Sequence, residues 1–190
     1  MKTVNLAHVP PQPWRNGGGL TRELLAWPVG GAWQCRISVA DITQDGDFSA
    51  YPGVERWFAV IAGTGVELGL ASGSLALTGD SDPCHFDGEQ APACRLLAGP
   101  TRDLNLMAQR ASGSSHMQRV QPGLAWCSGA ALRAVFTAMP MTLHVGDQPA
   151  LALAAGSLAW CDSGSAAPWR AVLPAGVPTA WWLSFQQHAT

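Results

Sequence analysis

Two segments of the sequence alternate polar and apolar side chains, and the polar residue types suit the binding of a small carboxylate. In "WQCRISVADI", Arg36 and Ser38 alternate with apolar residues, and in "DLNLMAQR", Asp103, Asn105 and Met107 alternate with leucines. This period of two predicts β-strands that present the polar side chains on one face. A guanidinium holds a carboxylate through paired hydrogen bonds, and an amide both donates and accepts. The pattern therefore predicts a site for a small acid.

Two arrangements of these strands fit the pattern equally well. In one, the side that carries Arg36 faces water and the opposite side is core. In the other, the strand belongs to a small barrel, whose inward polar face lines a cavity. A second arginine, Arg56, follows "AYPGVE" and is either another guanidinium of the site or half of a weak surface ion pair with Glu55 or Asp45.

The stretch "PPQPWRNGGGLTREL" combines three consecutive glycines with polar and aromatic residues. It lacks the lysine and the preceding strand of a phosphate-binding loop, which argues against a nucleotide site. Tandem glycines allow a turn through positive φ and a close approach of the backbone. The sequence leaves open whether the loop is a tight turn or a flap over a barrel mouth. The candidate ligand-binding residues here are Trp14, Asn16, Gly17, Gly18, Thr21 and Glu23.

Two of these candidates have specific expected roles. Trp14 offers an apolar wall to a flat ligand, although a tryptophan at such a position is more often part of the core. Glu23 either accepts a hydrogen bond from a ligand N–H or braces one of the arginines, and bracing is favoured.

The histidines and cysteines give no pattern of a metal centre or of a nucleophile. No two of the five histidines are close in sequence, whereas a mononuclear site needs about three converging ligands. Cys84 and His85 are neighbours on a predicted strand and therefore point to opposite faces. No G-x-S-x-G motif occurs. We therefore expect no metal and no cofactor, and binding without catalysis rather than an enzyme.

The composition excludes further classes of function. The charged share is 13% and the net charge is −2, which gives no basic surface for nucleic acid. No run of eighteen apolar residues predicts a membrane span, and the N-terminal stretch lacks the apolar core of a signal peptide. Five cysteines without a C-x-x-C pair are typical of reduced thiols in a cytoplasmic protein.

Short apolar runs between glycines and prolines predict an all-β sandwich or barrel. An internal repeat supports two similar halves, because eight residues between Gly63 and Ala76 are identical to those 83 positions later, between Gly146 and Ala159. A weaker pair is "LNLM" at 104–107 and "LSFQ" at 183–186. We predict a first barrel with the ligand pocket over 1–110, a connector over 111–123 and a smaller, degenerate second barrel over 124–190.

Over residues 10–110 the sequence resembles the HutD/Ves family of small bacterial proteins. The resemblance lies in "PWRNGGGLTREL", "CRISVADITQDGDFSAYPGVERWFAVIAGTGVEL", "HFDGE" and "RDLNLMAQR". It implies a bicupin, with two packed barrels of the double-stranded β-helix (jelly-roll) type. It also implies an association with histidine-utilisation genes and the binding of a pathway metabolite that moderates flux through the pathway.

Together these features predict a protein that binds a small anionic intermediate of histidine degradation, such as urocanate or formylglutamate, and has a regulatory role. The alternative is a metal-free cupin isomerase or lyase that acts on a small carboxylate. A third class is an assembly protein whose exposed edge strands pair in a homodimer.

Overall fold

The protein folds almost entirely into β-strands. In the computed structural model, which describes residues 1–164, 166–174 and 179–188, short 3₁₀ turns occur at Leu6–His8 and Gly88–Gln90. The strands are β1 (Lys2–Asn5), β2 (Gln12–Pro13), β3 (Gly19–Trp27), β4 (Cys35–Ile42), β5 (Gly46–Asp47), β6 (Val54–Ala62), β7 (Val66–Leu70), β8 (Gly73–Leu77), β9 (Cys84–Asp87), β10 (Ala93–Leu96), β11 (Thr101–Gln109), β12 (Gly113–Arg119), β13 (Leu132–Thr137), β14 (Met141–Val145), β15 (Leu151–Leu153), β16 (Ser157–Cys161), β17 (Trp169–Val172) and β18 (Ala180–Gln187).

Four antiparallel sheets form two sandwich-like units. The first unit has a large sheet in the order β2-β3-β4-β11-β6-β9 and a small sheet in the order β5-β10-β7-β8. The second unit has a large sheet in the order β1-β16-β13-β18-β12 and a small sheet in the order β15-β14-β17. Each unit therefore pairs one large with one small sheet, as the prediction of two similar all-β halves requires.

Three apolar clusters form the core of the part of the chain that the structure describes. One fills the first unit around Phe58 and Leu68, and another fills the second unit around Leu143 and Trp169. The third lies between the two large sheets and contains Ile37. The apolar side of "WQCRISVADI" thus packs against the second unit, so its polar side faces the interior of the first.

Two segments lie elsewhere than the predicted boundaries place them. Residues 113–119, expected in a connector, form strand β12 and pair along their length with β18. Residues 2–5, expected in the first barrel, form strand β1 at the edge of the second unit's large sheet beside β16. Both segments are short and polar, and their neighbours in the sheet lie more than 60 residues away in the sequence, so local pattern gives no sign of them. Of the predicted second barrel, residues 165, 175–178 and 189–190 lie outside those described.

The two halves are similar, but not in the register that the 83-residue repeat indicates. That repeat aligns β8 with β16, yet β8 lies in a small sheet and β16 in a large one. By order along the chain and sheet membership, β8 corresponds to β15 and β9 to β16. The identities therefore reflect an Ala/Gly/Leu-rich composition. The weaker pairing of 104–107 with 183–186 is the structurally equivalent one, since β11 and β18 each lie between two strands of a large sheet.

Candidate functional site

A cavity of about 560 Å³ lies inside the first unit, against the inner face of its large sheet. Strands β3, β4, β6 and β11 supply one wall, the loop after β2 supplies a second, and residues 47–51 supply a third. We call this cavity the first-unit pocket. It is lined by Gln12, Pro13, Trp14, Arg15, Asn16, Thr21, Glu23, Arg36, Ser38, Ala40, Asp47, Phe48, Ser49, Tyr51, Arg56, Asp103, Asn105 and Met107.

A chain of polar side chains forms the floor of the pocket. Nη2 of Arg56 donates a 2.8 Å hydrogen bond to Oδ1 of Asn105, and Nδ2 of Asn105 donates in turn to Oδ1 of Asp103. All three residues are buried, with exposed fractions of 7% for Arg56, 6% for Asn105 and 1% for Asp103. The amide of Asn105 therefore links the Arg56 guanidinium to the Asp103 carboxyl group, which do not contact each other directly.

Two polar atoms of this floor lack a hydrogen-bond partner among the described residues. They are Nε of Arg56 and Oδ2 of Asp103, and both are buried. An unsatisfied buried polar atom is costly unless something else pairs with it. A ligand that enters the pocket with both donor and acceptor groups would supply the missing partners.

Burial shifts the pKa values of Asp103 and Arg56, the two ionisable residues of this hydrogen-bonded floor. It raises the pKa of Asp103 to about 8, against the opposing effects of the Arg56 charge and the Asn105 hydrogen bond. It lowers the pKa of Arg56 to about 10, although the Asp103 charge acts in the other direction. Near neutral pH Asp103 is thus mostly a neutral acid that can donate a hydrogen bond, while Arg56 keeps its charge.

Arg36 lies nearer the mouth of the pocket. Its side chain is 21% exposed, and its Nε lies 3.7 Å from Oε2 of Glu23. This distance makes an ion pair without a hydrogen bond, and Nε of Arg36 has no hydrogen-bond partner in the described part of the chain. Glu23 therefore lies within ion-pair distance of Arg36, and the bracing role that the sequence favours for it stays a prediction.

Aromatic rings surround Arg56 and fix its direction. Its guanidinium carbon lies 4.9 Å from the ring centroid of Phe48 and 5.1 Å from that of Phe86. A cation over aromatic faces is held by their quadrupoles, more strongly where water is excluded. The surface ion pair that the sequence left open is not formed, because the Glu55 carboxylate accepts from Ser115 on the other side of the sheet and Asp45 accepts from Leu96 N.

The three consecutive glycines close a hairpin between β2 and β3. Gly17 has a φ of +73°, and a Cβ at Gly19 would overlap the carbonyl oxygen of Asp41. The side chain of Asn16 accepts a hydrogen bond from Gly18 N, and Trp14 Nε1 donates to Oγ1 of Thr21 at 2.7 Å. The loop is thus a tight turn whose residues 14–16 also line the pocket.

Ten of the twelve predicted site residues line this one cavity, and two do not. Gly17 and Gly18 are absent from the lining because they build the turn behind it. Arg36, Ser38, Asp103, Asn105 and Met107 reach the cavity by the alternation seen in the sequence.

The sequence reasoning missed eight lining residues: Gln12, Pro13, Arg15, Ala40, Asp47, Phe48, Ser49 and Tyr51. Phe48 and Tyr51 belong to "FSAYPG", whose two aromatic residues in a polar loop were the available signal. Ala40 continues the polar side of β4 and follows from the same alternation as Arg36.

The described residues give little support for metal binding or for nucleophilic catalysis. Among the described residues, no group of three or more His, Cys, Asp or Glu side chains is placed to hold a metal ion. Cys84 is buried, whereas His85 is half-exposed and lies 3.5 Å from the Glu55 carboxylate. The two neighbours therefore face apart, as the strand period predicts, and form no nucleophile and base pair.

Comparison with known proteins identifies relatives across most of the chain. The family model described as HutD matches residues 6–175. An uncharacterized 21.2 kDa protein from the hutC 3' region of Pseudomonas putida is 34% identical over 122 residues, which are 63% of this chain and 60% of that protein. Protein Ves of Citrobacter koseri is 32% identical over 112 residues, 58% of this chain and 59% of that one. The matched segment thus spans about 60% of these relatives' length.

Solved structures share the whole architecture. A conserved protein of unknown function, PA5104 from Pseudomonas aeruginosa PAO1, has a TM-score of 0.84 and 26% identity and covers 99% of both chains. HutD from Pseudomonas fluorescens SBW25 superposes with a TM-score of 0.85 at 24% identity, again over 99% of both chains. Oxalate decarboxylase from Bacillus subtilis shares the fold alone, at 10% identity, a TM-score of 0.64 and coverage of 100% of this chain and 78% of that one. The fold is therefore an all-β cupin fold. Among the described residues, no helix is long and apolar enough to cross a membrane.

Proposed function

The chain belongs to the HutD family, and on this premise we propose that its first-unit pocket binds a small anionic metabolite. The family is linked to the histidine-utilisation region through relatives such as the hutC-region protein. We therefore take the ligand to be an intermediate of histidine degradation, such as urocanate or formylglutamate, whose binding regulates the pathway without chemical conversion.

The observation that carries this proposal is that two guanidinium groups line the same pocket. Arg36 lies near the mouth, Arg56 lies at the floor, and Nε of both is buried without a hydrogen-bond partner among the residues described. A carboxylate that reaches either of them forms charge-assisted hydrogen bonds, which are stronger than neutral ones.

The floor adds selectivity for a second polar group on the ligand. The neutral Asp103 acid can donate from Oδ2, and Ser38 presents a buried hydroxyl that both donates and accepts. An acid that carries an imidazole, amide or formyl group matches this floor better than a simple fatty acid does, because each of those groups satisfies a buried polar atom. Trp14 stands on edge to Phe48, with ring centroids 6.3 Å apart, and supplies an apolar side wall.

Isothermal titration calorimetry with urocanate and with N-formylglutamate tests the proposal. We expect saturable heat with at least one of them and a loss of about 1.5–3 kcal/mol of binding free energy in Arg36→Gln. The matched control is Arg95→Gln, which removes an exposed arginine that pairs with Glu67 outside the pocket. No heat with either ligand at millimolar concentration, or equal binding by Arg36→Gln and the control, would refute the assignment.

One observation favours catalysis as a second candidate function. Asp103 is a fully buried carboxyl group with a pKa of about 8, held in a pocket beside a cation. Enzymes tune general acids and bases in this way, so a metal-free isomerase or lyase is the alternative. Proton NMR of urocanate and formylglutamate incubated with the protein distinguishes the two, because turnover that Asp103→Asn abolishes supports an enzyme, whereas unchanged spectra support binding alone.

A further inference from the structure

A second cavity, of about 650 Å³, lies on the opposite side of the first unit's large sheet, where that unit meets the second. We call it the interface cleft. Arg22, Ile61 and Arg102 line it from the first unit and Phe136 from the second, and the segment from Asn5 to Pro11 closes one side. The cleft is therefore built by both units and by the segment that connects β1 of the second unit to β2 of the first.

The interface cleft carries an excess of one positive charge. Nη1 of Arg22 contacts Oδ2 of Asp41 at 2.6 Å, and Nε of Arg102 contacts Oδ1 of the same carboxylate at 2.6 Å. Burial raises the pKa of Asp41, but the hydrogen bonds from Arg102 and Arg22 outweigh it, so the pKa lies below its ordinary value and the group is ionised. The Asp41 carboxylate thus forms ion pairs with both guanidinium groups.

Donors remain available on both arginines. A guanidinium has five N–H groups, and the described structure gives Arg22 and Arg102 no ion-pair partner besides Asp41. Their side chains are 21% and 41% exposed, so a ligand in the cleft can reach them. The described lining contains no Asp or Glu side chain, and the Asp41 carboxylate beside it is paired with both guanidinium groups.

The rest of the lining is largely apolar. Leu6, Val9 and Ile61 are half-buried hydrophobic side chains that pack on the core between the units, and Phe136 forms part of that core. Binding pockets for small molecules combine such apolar walls with a few convergent polar groups. An ion such as sulfate would leave the apolar wall unused, whereas an acid with an apolar body contacts both parts.

The same strands supply the first-unit pocket and the interface cleft. Along β3, Thr21 and Glu23 face the pocket while Arg22 between them faces the cleft, and along β11 Asp103 faces the pocket while Arg102 faces the cleft. The period of two along a strand requires this division. The arginines of the cleft are therefore held by a rigid sheet rather than by loops.

We propose that the interface cleft is a second binding site, separate from the first-unit pocket, for a small organic monoanion with an apolar body, such as an aromatic carboxylate. The carboxylate pairs with Arg22 and Arg102, which share Asp41, and the ring lies against Leu6, Val9 and Ile61. This assignment does not depend on what the first-unit pocket binds.

The test uses 4-fluorobenzoate as the probe and ¹⁹F NMR line broadening and shift as the readout. All proteins carry Arg36→Gln so that carboxylate binding in the first-unit pocket is weakened. Ala62→Trp adds a ring at an exposed lining position and fills the cleft without changing its charge, while Arg102→Gln makes the arginine–aspartate cluster neutral. We expect saturable binding in the parent, and affinities lower by at least about tenfold in both variants.

Two comparisons make the result decisive. Arg95→Gln, outside the cleft, is expected to bind 4-fluorobenzoate like the parent, and the neutral 4-fluorobenzamide is expected to bind at least about tenfold more weakly than the acid. Ala7→Trp, on the exposed turn of the opposite wall, replaces Ala62→Trp if that variant does not fold. Absence of saturable binding, or binding that neither the tryptophan nor the charge change weakens, overturns the proposal.

Discussion

Replacing Asp103 by asparagine tests the electrostatics of the pocket floor. The substitution keeps the size of the side chain, and its carbonyl oxygen can still accept the hydrogen bond that Asn105 donates. It removes a carboxyl group whose pKa burial raises from 3.8 to about 8. The side chain at position 103 therefore carries no charge at any pH in this variant.

The sign and size of the effect follow from proton linkage. Because the folded pKa lies above the unfolded one, the folded state holds the Asp103 proton more tightly, and this contribution to stability is complete below pH 3.8. As the pH rises from there to about 8, the wild-type protein loses about 1.4 kcal/mol per pH unit from this group. The total is on the order of 6 kcal/mol above pH 8.

Urea unfolding followed by tryptophan fluorescence measures this loss at a series of pH values. We expect Asp103→Asn and the wild-type protein to have similar free energies of unfolding near pH 4. As the pH rises to about 8, the variant is expected to become progressively more stable than the wild-type protein. Asp80→Asn, at an exposed turn position, is the control and is expected to show no such trend. A variant that is less stable at pH 8, or a difference that does not change with pH, would show that Asp103 is ionised and paired with Arg56.

Two further predictions concern the hairpin and the thiols. Gly19→Ala is expected to lower the free energy of unfolding by about 1–3 kcal/mol, because the new Cβ overlaps the Asp41 carbonyl oxygen. Gly79→Ala is the control, because the space around Gly79 is open. Equal melting temperatures for the Gly19→Ala and Gly79→Ala variants would contradict the reasoning. Ellman's reagent is expected to modify the exposed Cys127 in the native protein but not Cys35, which is fully buried and has a raised thiol pKa; reaction of Cys35 without urea, detected by peptide mass mapping, would contradict its burial.

The polar wall of the pocket was predictable because strand periodicity is local. Once Cys35 and Ile37 are assigned to a core, Arg36 and Ser38 must face the other way, whichever strands lie beside them. The sequence alone could not decide whether that other side was water or a cavity. The structure decides it through the packing of β4 between β3 and β11, with the apolar side against the second unit.

Features that depend on distant parts of the chain were not predictable in the same way. The polar stretch at 113–119 becomes a strand because it pairs with β18. The two strands are far apart in the sequence, since β12 ends at Arg119 and β18 begins 61 residues later at Ala180. Similarly, Phe48 and Tyr51 line the pocket because their loop folds back over Arg56, a path that no periodicity encodes. Gly17 and Gly18 lie outside the cavity lining for a local reason, since they form the turn between β2 and β3, and their role in ligand binding stays a prediction.

The second unit shows why the predicted pocket lies in the first unit. At the offset that relates β11 to β18, from Leu104 to Leu183, the position of Asp103 is taken by Trp182. Trp182 stacks on Trp126 at 5.0 Å, and Trp169 stands on edge to it, so large rings fill the interior that the first unit leaves open. The inner faces of these two corresponding strands therefore differ in chemistry, because β11 carries buried polar groups where β18 carries packed aromatic ones.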